Sequence, residues 1–409
     1  MSFIIENFNN GIRLAYKKAL NTRISHIGIT FNTGSRDENK NQIGLAHILE
    51  HMLFKGTKKH NWNYILNSIE MVGGEMNAFT TKEKTCIYAS LICDKTQLAI
   101  ELLADISLNS VFPEIELEKE KKVIVDEIDM YADNPEEMIV DEFYENIFNN
   151  HSLGTNILGN KSNIVKYTRN DVVNFATKLF NYGQMVISYC GPIEIEEIKK
   201  LCKKYFENHK FEKNVLQRTK PNEIKTFNIL KKTQNHQCHI IIGKKAYDMF
   251  DKKRTALMFL ANILGGPALN SILNITLREK YGITYGVEAA YNYFSDTGLF
   301  YIQWTSDIVN LEKSIKIVKS ELLKIISKPI TEKQFEQYKT QFKGQLIMAE
   351  ESNQGLMIMM GRSLLDFNDI ETLDKVLSEI DEINTQTLQN IAIEILNPDN
   401  MSMLVYKPE

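Results

Sequence analysis

Several signals are missing from this 409-residue sequence, and each absence removes a class of protein. There is no charge excess: 48 Lys and Arg stand against 52 Asp and Glu, and a net charge of −4 offers no electrostatic footprint for a nucleic acid. There is no paired-cysteine spacing. Cys86, Cys93, Cys190, Cys202 and Cys238 are odd in number and scattered, which argues against a disulfide framework or a thiolate zinc finger and favours a reducing compartment. No apolar run approaches the roughly 20 residues of a membrane span. The opening "MSFIIENFNNGIRL" places an acidic residue where a secretory leader would be basic. The expectation is a cytoplasmic protein, or one of an organelle matrix if a presequence has been removed, with neither membrane nor nucleic acid as partner. A Gly-rich phosphate turn after a strand is also lacking, which weakens the case for one large doubly wound domain.

What is present fits a globular protein with ample core material: 43% hydrophobic and 24% charged residues. The length is too great for one ordinary core and suggests two or three domains. An internal repeat sharpens this. "TRNDVVNFATKLFNYGQMVISYCGP" (168–192) aligns without a gap on "NTQTLQNIAIEILNPDNMSMLVYKP" (384–408). Asn174, Ala176, Asn181, Met185 and Pro192 fall on Asn390, Ala392, Asn397, Met401 and Pro408, an offset of 216 (390 − 174). Each copy reads as a helix, an Asn-containing turn and a short β-prone run. A looser pair, 80–109 and 294–325, reads as an alternating strand followed by an amphipathic helix. Two related α+β halves follow, 1–215 and 229–409, joined by a polar, Pro-containing linker at 216–228. Hairpin-like order rather than regular βαβ alternation predicts, in each half, an antiparallel sheet covered by helices on one side.

The stretch "GLAHILEHMLFKGT" (44–57) is apolar except for His47, Glu50 and His51 before its Lys-Gly-Thr end. At positions i, i+3 and i+4 of a helix these three project from one face. Two imidazoles one turn apart can reach a single zinc at about 2.0–2.1 Å, with the glutamate beside the open coordination position. A core-facing helix has no other inexpensive way to bury three ionisable groups. A hydrolytic zinc also wants a third protein ligand. The candidate stretch is "ELEKEKKVIVDEIDMYADNP" (116–135), where Glu120 and Glu127, seven apart, share a helix face.

The order H-x-x-E-H, read with "GGEMNAFTTKEKTCIY" (73–88) and "EKEKKVIVDEI" (118–128), resembles the pitrilysin and insulin-degrading-enzyme family of inverted-motif zinc metallopeptidases. The resemblance is nearest to its small two-half bacterial members and the mitochondrial processing peptidase type. It implies one zinc per chain, held by His47, His51 and Glu127, with Glu50 as general base and Glu120 supporting the ligands from behind. It further implies two homologous halves facing each other across a cleft. "LREKYGITYGVEA" (277–289) resembles the segment whose arginine and tyrosine reach the site, here Arg278 and Tyr285. "EMNAFTT" (75–81) corresponds to an edge strand on which Asn77, Ala78 and Phe79 would line the path of an extended peptide. Relatives carry a run of glycines where this chain has Gly265, Gly266 and Pro267, so a stiffer loop is expected there.

The function implied is zinc-dependent endopeptidase activity on short or unfolded peptides in an enclosed chamber, by a homodimer or a heterodimer with a related subunit. The alternative is a non-catalytic or structural partner subunit of such an assembly. That role usually goes with a broken motif, and here every motif position is filled.

Overall fold

The computed structural model describes residues 3–179, 185–209 and 216–409. The first half of the chain runs β1 (Ile4–Asn7), β2 (Arg13–Lys18), β3 (Ile24–Phe31), α1 (Leu45–Leu53), α2 (Trp62–Glu70), β4 (Glu75–Thr80), β5 (Thr85–Ile92), α3 (Thr96–Asn109), α4 (Glu114–Ala132), α5 (Pro135–Ile147), α6 (Lys161–Ile164), α7 (Arg169–Leu179), β6 (Met185–Gly191) and α8 (Ile195–Phe206). The second runs β7 (Asn228–Thr233), β8 (Cys238–Ala246), α9 (Arg254–Gly265), a π-helix (Asn274–Lys280), β9 (Val287–Tyr293), β10 (Gly298–Ser306), α10 (Leu311–Ser327), α11 (Glu332–Glu350), α12 (Asn353–Phe367), α13 (Leu373–Glu382), α14 (Thr385–Ile395) and β11 (Ser402–Pro408). Among the described residues no helix is long and apolar enough to cross a membrane.

The architecture is mixed α+β with two sheets, and the repeat is visible in both. One sheet has the order β1-β2-β6-β3-β5-β4 and the other β7-β11-β8-β10-β9. Apart from the additional β1, the two share one pattern. β2 and β7 pair in parallel with β6 and β11, and every other pairing is antiparallel. The aligned helices α7 and α14 have identical bounds once shifted (169 + 216 = 385, 179 + 216 = 395). Asn181 of that alignment lies outside the described residues, as do residues 210–215 at the expected end of the first half.

Contacts divide the chain into two compact units that are not contiguous halves. One comprises Met1–Met130, Thr155–Arg218 and Ala349–Glu371; the other comprises Tyr131–Gly154, Thr219–Met348 and Thr372–Glu409. The reason lies in the central strands. β6 is buried at all seven positions and β8 at its first six, so neither sheet can leave one face in water. In the first unit α12 covers the second face, with Leu356, Met357, Met360 and Leu364 against Ala15, Val186 and Cys190. In the second unit α5 does the same, with Ile139, Phe143 and Ile147 packed on Ile241, Leu299 and Leu404. Helices on one side only, as read from the sequence, therefore understate the cover, because each sheet recruits one helix from the other half of the sequence. Residues 216–227 form neither strand nor helix. Arg218 is nevertheless fixed within the first unit by bonds to both carboxylate oxygens of Asp37 and to the carbonyls of Asn32 and Glu83.

Helix α1 has Gly44 at its N-cap, in the left-handed region at φ 94°, so no side chain is available there to satisfy the first amides. Glu38 does it from outside the helix. Its carboxylate accepts from the amides of Gly44 at 3.1 Å and Ala46 at 2.7 Å, a favourable place for negative charge at a helix start. Burial pushes the Glu38 carboxyl up to about 8, against the opposing pull of those two amides and of Lys82. The folded-state value is raised above that of the unfolded chain. The stability linked to this proton is therefore fully present below the unfolded value and is lost as pH rises through about 8. Thermal unfolding across about pH 5 to 8 should show the wild type losing stability relative to Glu38→Gln as pH rises. A difference between the two proteins that does not change with pH would overturn this account of the cap.

Candidate metal centre

The site grows from one helix packed against another. In α1, Leu45, Ala46, Ile48, Leu49, Met52 and Leu53 are buried among the core of the first unit, which fixes the helix about its axis. His47, Glu50 and His51 share the remaining face. Helix α4 buries Leu117 and Ile124 in the same core and brings Glu120 and Glu127 to α1. The Glu127 carboxylate oxygen Oε2 lies 3.7 Å from His47 Nε2 and 3.5 Å from His51 Nε2. The two imidazoles meet edge to face with centroids 4.6 Å apart. Among the described residues these three form the one group of His, Cys, Asp and Glu side chains whose donor atoms converge, all within 4.8 Å of one another.

Their arrangement fits a divalent cation on chemical grounds. His51 Nδ1 lies 3.0 Å from Glu120 Oε2, an oxygen that only accepts in an ionised carboxylate. A neutral His51 that donates there turns the Nε2 lone pair toward Glu127, so a nitrogen acceptor faces a carboxylate oxygen. Burial, and after it the neighbouring His51, pushes the His47 imidazole down to about 4, leaving it neutral and able to ligate. His47 Nδ1 is buried without a hydrogen-bond partner among the described residues. Donor atoms of a tetrahedral ion with bonds of about 2.0–2.1 Å stand about 3.3–3.4 Å apart, close to the two separations observed.

The surrounding groups hold the ligand-type side chains in place. Lys55 Nζ bonds Glu120 Oε1 at 2.6 Å, so one carboxylate joins the lysine to the histidine. Burial works to raise the Glu120 carboxyl, but the bonds from His51 and Lys55 outweigh it and hold it below its ordinary value. The hydroxyl and amide of Thr80 lie near enough to Glu50 to favour its ionised form. Burial raises the Glu50 carboxyl above the ordinary range, with Thr80 and His51 opposing and Glu127 adding to the rise. Lys55 and Thr80 carry no spacing signal of their own. Both lie inside conspicuous stretches, "MLFKGT" and "EMNAFTT", yet only the fold shows what they touch.

Thr80 ends β4, which forms the outer edge of its sheet and pairs only with β5. Asn77, Ala78 and Phe79 sit on this strand opposite Tyr88, Ile87 and Cys86. Asn77 is exposed, Ala78 is buried, and the Phe79 ring leans toward Tyr88 with centroids 6.4 Å apart. Of the amides of the alternate residues Ala78 and Thr80, the first is taken by Asn77 Oδ1 at 2.8 Å and the second favours the ionised form of Glu50. Alternate amides of an edge strand point to its free side, which places that side next to Glu50.

Arg278 and Tyr285 lie in the second unit and form a cluster of their own. The Arg278 guanidinium stands 5.0 Å from the Tyr285 ring centroid, and Tyr285 is 86% exposed. Gly265 ends α9, where a Cβ would meet the Ala289 amide nitrogen at 2.7 Å. Close approach to β9 therefore accounts for that glycine. Gly266 is extended at ψ −179° ahead of Pro267.

Comparisons with known proteins agree with these features. Residues 13–161 match the family description "Insulinase (Peptidase family M16)" and residues 166–342 match "Peptidase M16 inactive domain". A Bacillus subtilis protein named "Uncharacterized zinc protease YmxG" is 31% identical over 396 residues, covering 97% of this chain and 96% of that protein. A Rickettsia felis protein named "Uncharacterized zinc protease" is 29% identical over 407 residues, covering 99% and 97%. Among solved structures, a protease from Helicobacter pylori superposes with a TM-score of 0.92 at 21% identity, covering 100% of both chains. A Pseudomonas fluorescens structure described as a peptidase M16 inactive domain gives 0.93 at 18%, covering 100% of this chain and 98% of that one; both show a shared fold. With the curated relatives matching almost end to end, the chain belongs to peptidase family M16, the insulinase family.

Proposed function

We propose that this protein is a zinc-dependent endopeptidase acting on short or unfolded peptides, with one zinc per chain held by His47, His51 and Glu127. The observation that carries the reading is the convergence of two imidazole nitrogens on one carboxylate oxygen at 3.5 and 3.7 Å, with His51 turned by Glu120. Relatives named zinc proteases support it. A zinc ion, when bound, supplies Lewis acidity toward water and a peptide carbonyl.

The remaining chemistry belongs to the side chains. Glu50, beside Thr80, accepts the proton of the attacking water as the new C–O bond forms. It then delivers that proton to the amide nitrogen as the C–N bond breaks, leaving a free carboxylate and amine. Glu120 and Lys55 keep His51 in the orientation that presents Nε2. The resemblance of 277–289 assigns Tyr285 and Arg278, within the second unit, the role of donors to a carbonyl oxygen that gains negative charge, a role worth about 3–4 kcal/mol per donor. Once Asn77 Oδ1 releases the Ala78 amide, the free side of β4 accepts an extended chain through main-chain bonds along Asn77, Ala78 and Phe79, which gives affinity with little sequence demand. A compact folded protein offers no such strand without local unfolding. A non-catalytic role is the weaker reading. The "inactive domain" description falls on residues 166–342, whereas His47, Glu50, His51 and Glu127 lie within 13–161.

Metal content after dialysis and hydrolysis of an internally quenched, unstructured peptide test this. His47→Ala, His51→Ala and Glu127→Ala should each lose bound zinc, and Glu120→Gln should weaken zinc affinity or turnover by about 10- to 100-fold. Full zinc occupancy in Glu127→Ala would move the third ligand elsewhere. Glu50→Gln should retain zinc and lose at least about a hundredfold in turnover, since its amide cannot take the water's proton. Wild-type hydrolysis by that variant would sink the endopeptidase mechanism.

A further inference from the structure

Arg278 lies in the π-helix, a conformation that is rare, short and seldom held by its own hydrogen bonds alone. Six residues, 281–286, connect this helix to β9, and Tyr285 is the fifth of them. What closes the connection is Asn274, in the first turn of the π-helix and only 6% exposed. Its Nδ2 donates to the carbonyl of Val287 at 3.1 Å, and its Oδ1 accepts from the Val287 amide at 3.0 Å. One side chain thus satisfies both backbone groups of one residue, as a neighbouring strand would. A further bond from Nδ2 to Ser271 Oγ at 2.9 Å holds the amide plane. Within the loop, the Ile283 amide returns to the Leu277 carbonyl at 2.9 Å, and the Gly282 amide to that of Arg278 at 3.0 Å. The Thr284 hydroxyl donates to the Gly286 carbonyl at 2.9 Å. The Tyr285 side chain, by contrast, is exposed, so its placement depends on the backbone beneath it.

We propose that Asn274 is the positioning residue for Tyr285 and Arg278, clamping the π-helix to the start of β9 so that hydroxyl and guanidinium are presented together. The inference rests on the donor roles assigned to those two residues above. Few side chains could replace it. Aspartate keeps the acceptor for the Val287 amide but sets an oxygen against the Val287 carbonyl, and leucine, of similar size, leaves both backbone groups unpaired in a buried place.

The test uses the zinc-loaded full chain, the same quenched peptide, and the variants Asn274→Leu, Asn274→Asp, Tyr285→Phe and the double variant Asn274→Leu with Tyr285→Phe. Asn274→Leu should lower kcat by about 10- to 100-fold, the cost of misplacing a catalytic group by about an ångström, with KM and zinc content near wild type. Asn274→Asp should fall between the two and serves as the readout if the leucine variant folds poorly. In the Tyr285→Phe background the leucine substitution should cost less than in the wild type, because only the share that runs through Arg278 remains to be lost. Amide hydrogen exchange should quicken at Val287 and across 281–286 in Asn274→Leu while β10 stays protected, a readout independent of turnover. If Tyr285→Phe turns over like the wild type, the donor role itself is wrong. If Tyr285→Phe is impaired while Asn274→Leu keeps its kcat, or costs as much in both backgrounds, the clamp alone is wrong. Unchanged exchange at Val287 would likewise overturn it.

Discussion

The interaction on which the first unit depends is the meeting of the Glu127 carboxylate with the Nε2 atoms of His47 and His51. Beside the buried His47, a nitrogen lone pair turned toward the carboxylate is an unfavourable neighbour, and a positive charge between them relieves it. The surroundings answer that demand step by step. Glu120 fixes which nitrogen of His51 faces inward, and Lys55 holds Glu120 ionised. Glu38 satisfies the amides at the start of α1, so the helix that carries both histidines begins at a defined residue. Thr80, at the end of the edge strand β4, favours the ionised form of Glu50. Each of these groups secures the next, so the precision of the centre belongs to the chain of bonds rather than to any one ligand.

The two sheets share their pairing pattern, but the helix that follows the third strand of each shared pattern has diverged. In α9, the counterpart of α1 after β8, ten of twelve residues are buried, and its sequence RTALMFLANILG has neither histidine nor glutamate. A helix face can serve packing or a metal, and a duplicated fold allows one copy to do each. That division gives a physical sense to the separate matches of residues 13–161 and 166–342.

What could be read from the sequence followed from short-range periodicity. The spacing of His47, Glu50 and His51 placed them on one face, and the seven-residue interval put Glu120 and Glu127 together. The constant offset of the repeat foretold α7 and α14. What stayed hidden depends on long-range partners. The parallel pairing of β2 with β6 and of β7 with β11 joins strands at opposite ends of each repeat. The recruitment of α5 and α12 shows only as central strands without a regular polar alternation, MVISYCG in β6 and CHIIIG at the start of β8, a signal that a second cover exists without naming it. Lys55, Thr80 and Asn274 act on groups remote from them in the sequence, and no periodicity marks such a residue.

The two clusters of functional side chains also differ in how their positions are secured. Around α1 and α4 the restraints are redundant: His51 touches Glu120 as well as Glu127, and the core-facing side chains of α1 fix the helix independently of either. Loss of one bond leaves others to hold the geometry. Tyr285 has no such burial, and the segment bearing it relies on a few backbone bonds and on the reciprocal pair between Asn274 and Val287. Where burial cannot hold a side chain, a buried amide that substitutes for a missing strand can hold the backbone instead. This lets an exposed phenol keep a defined position without being buried.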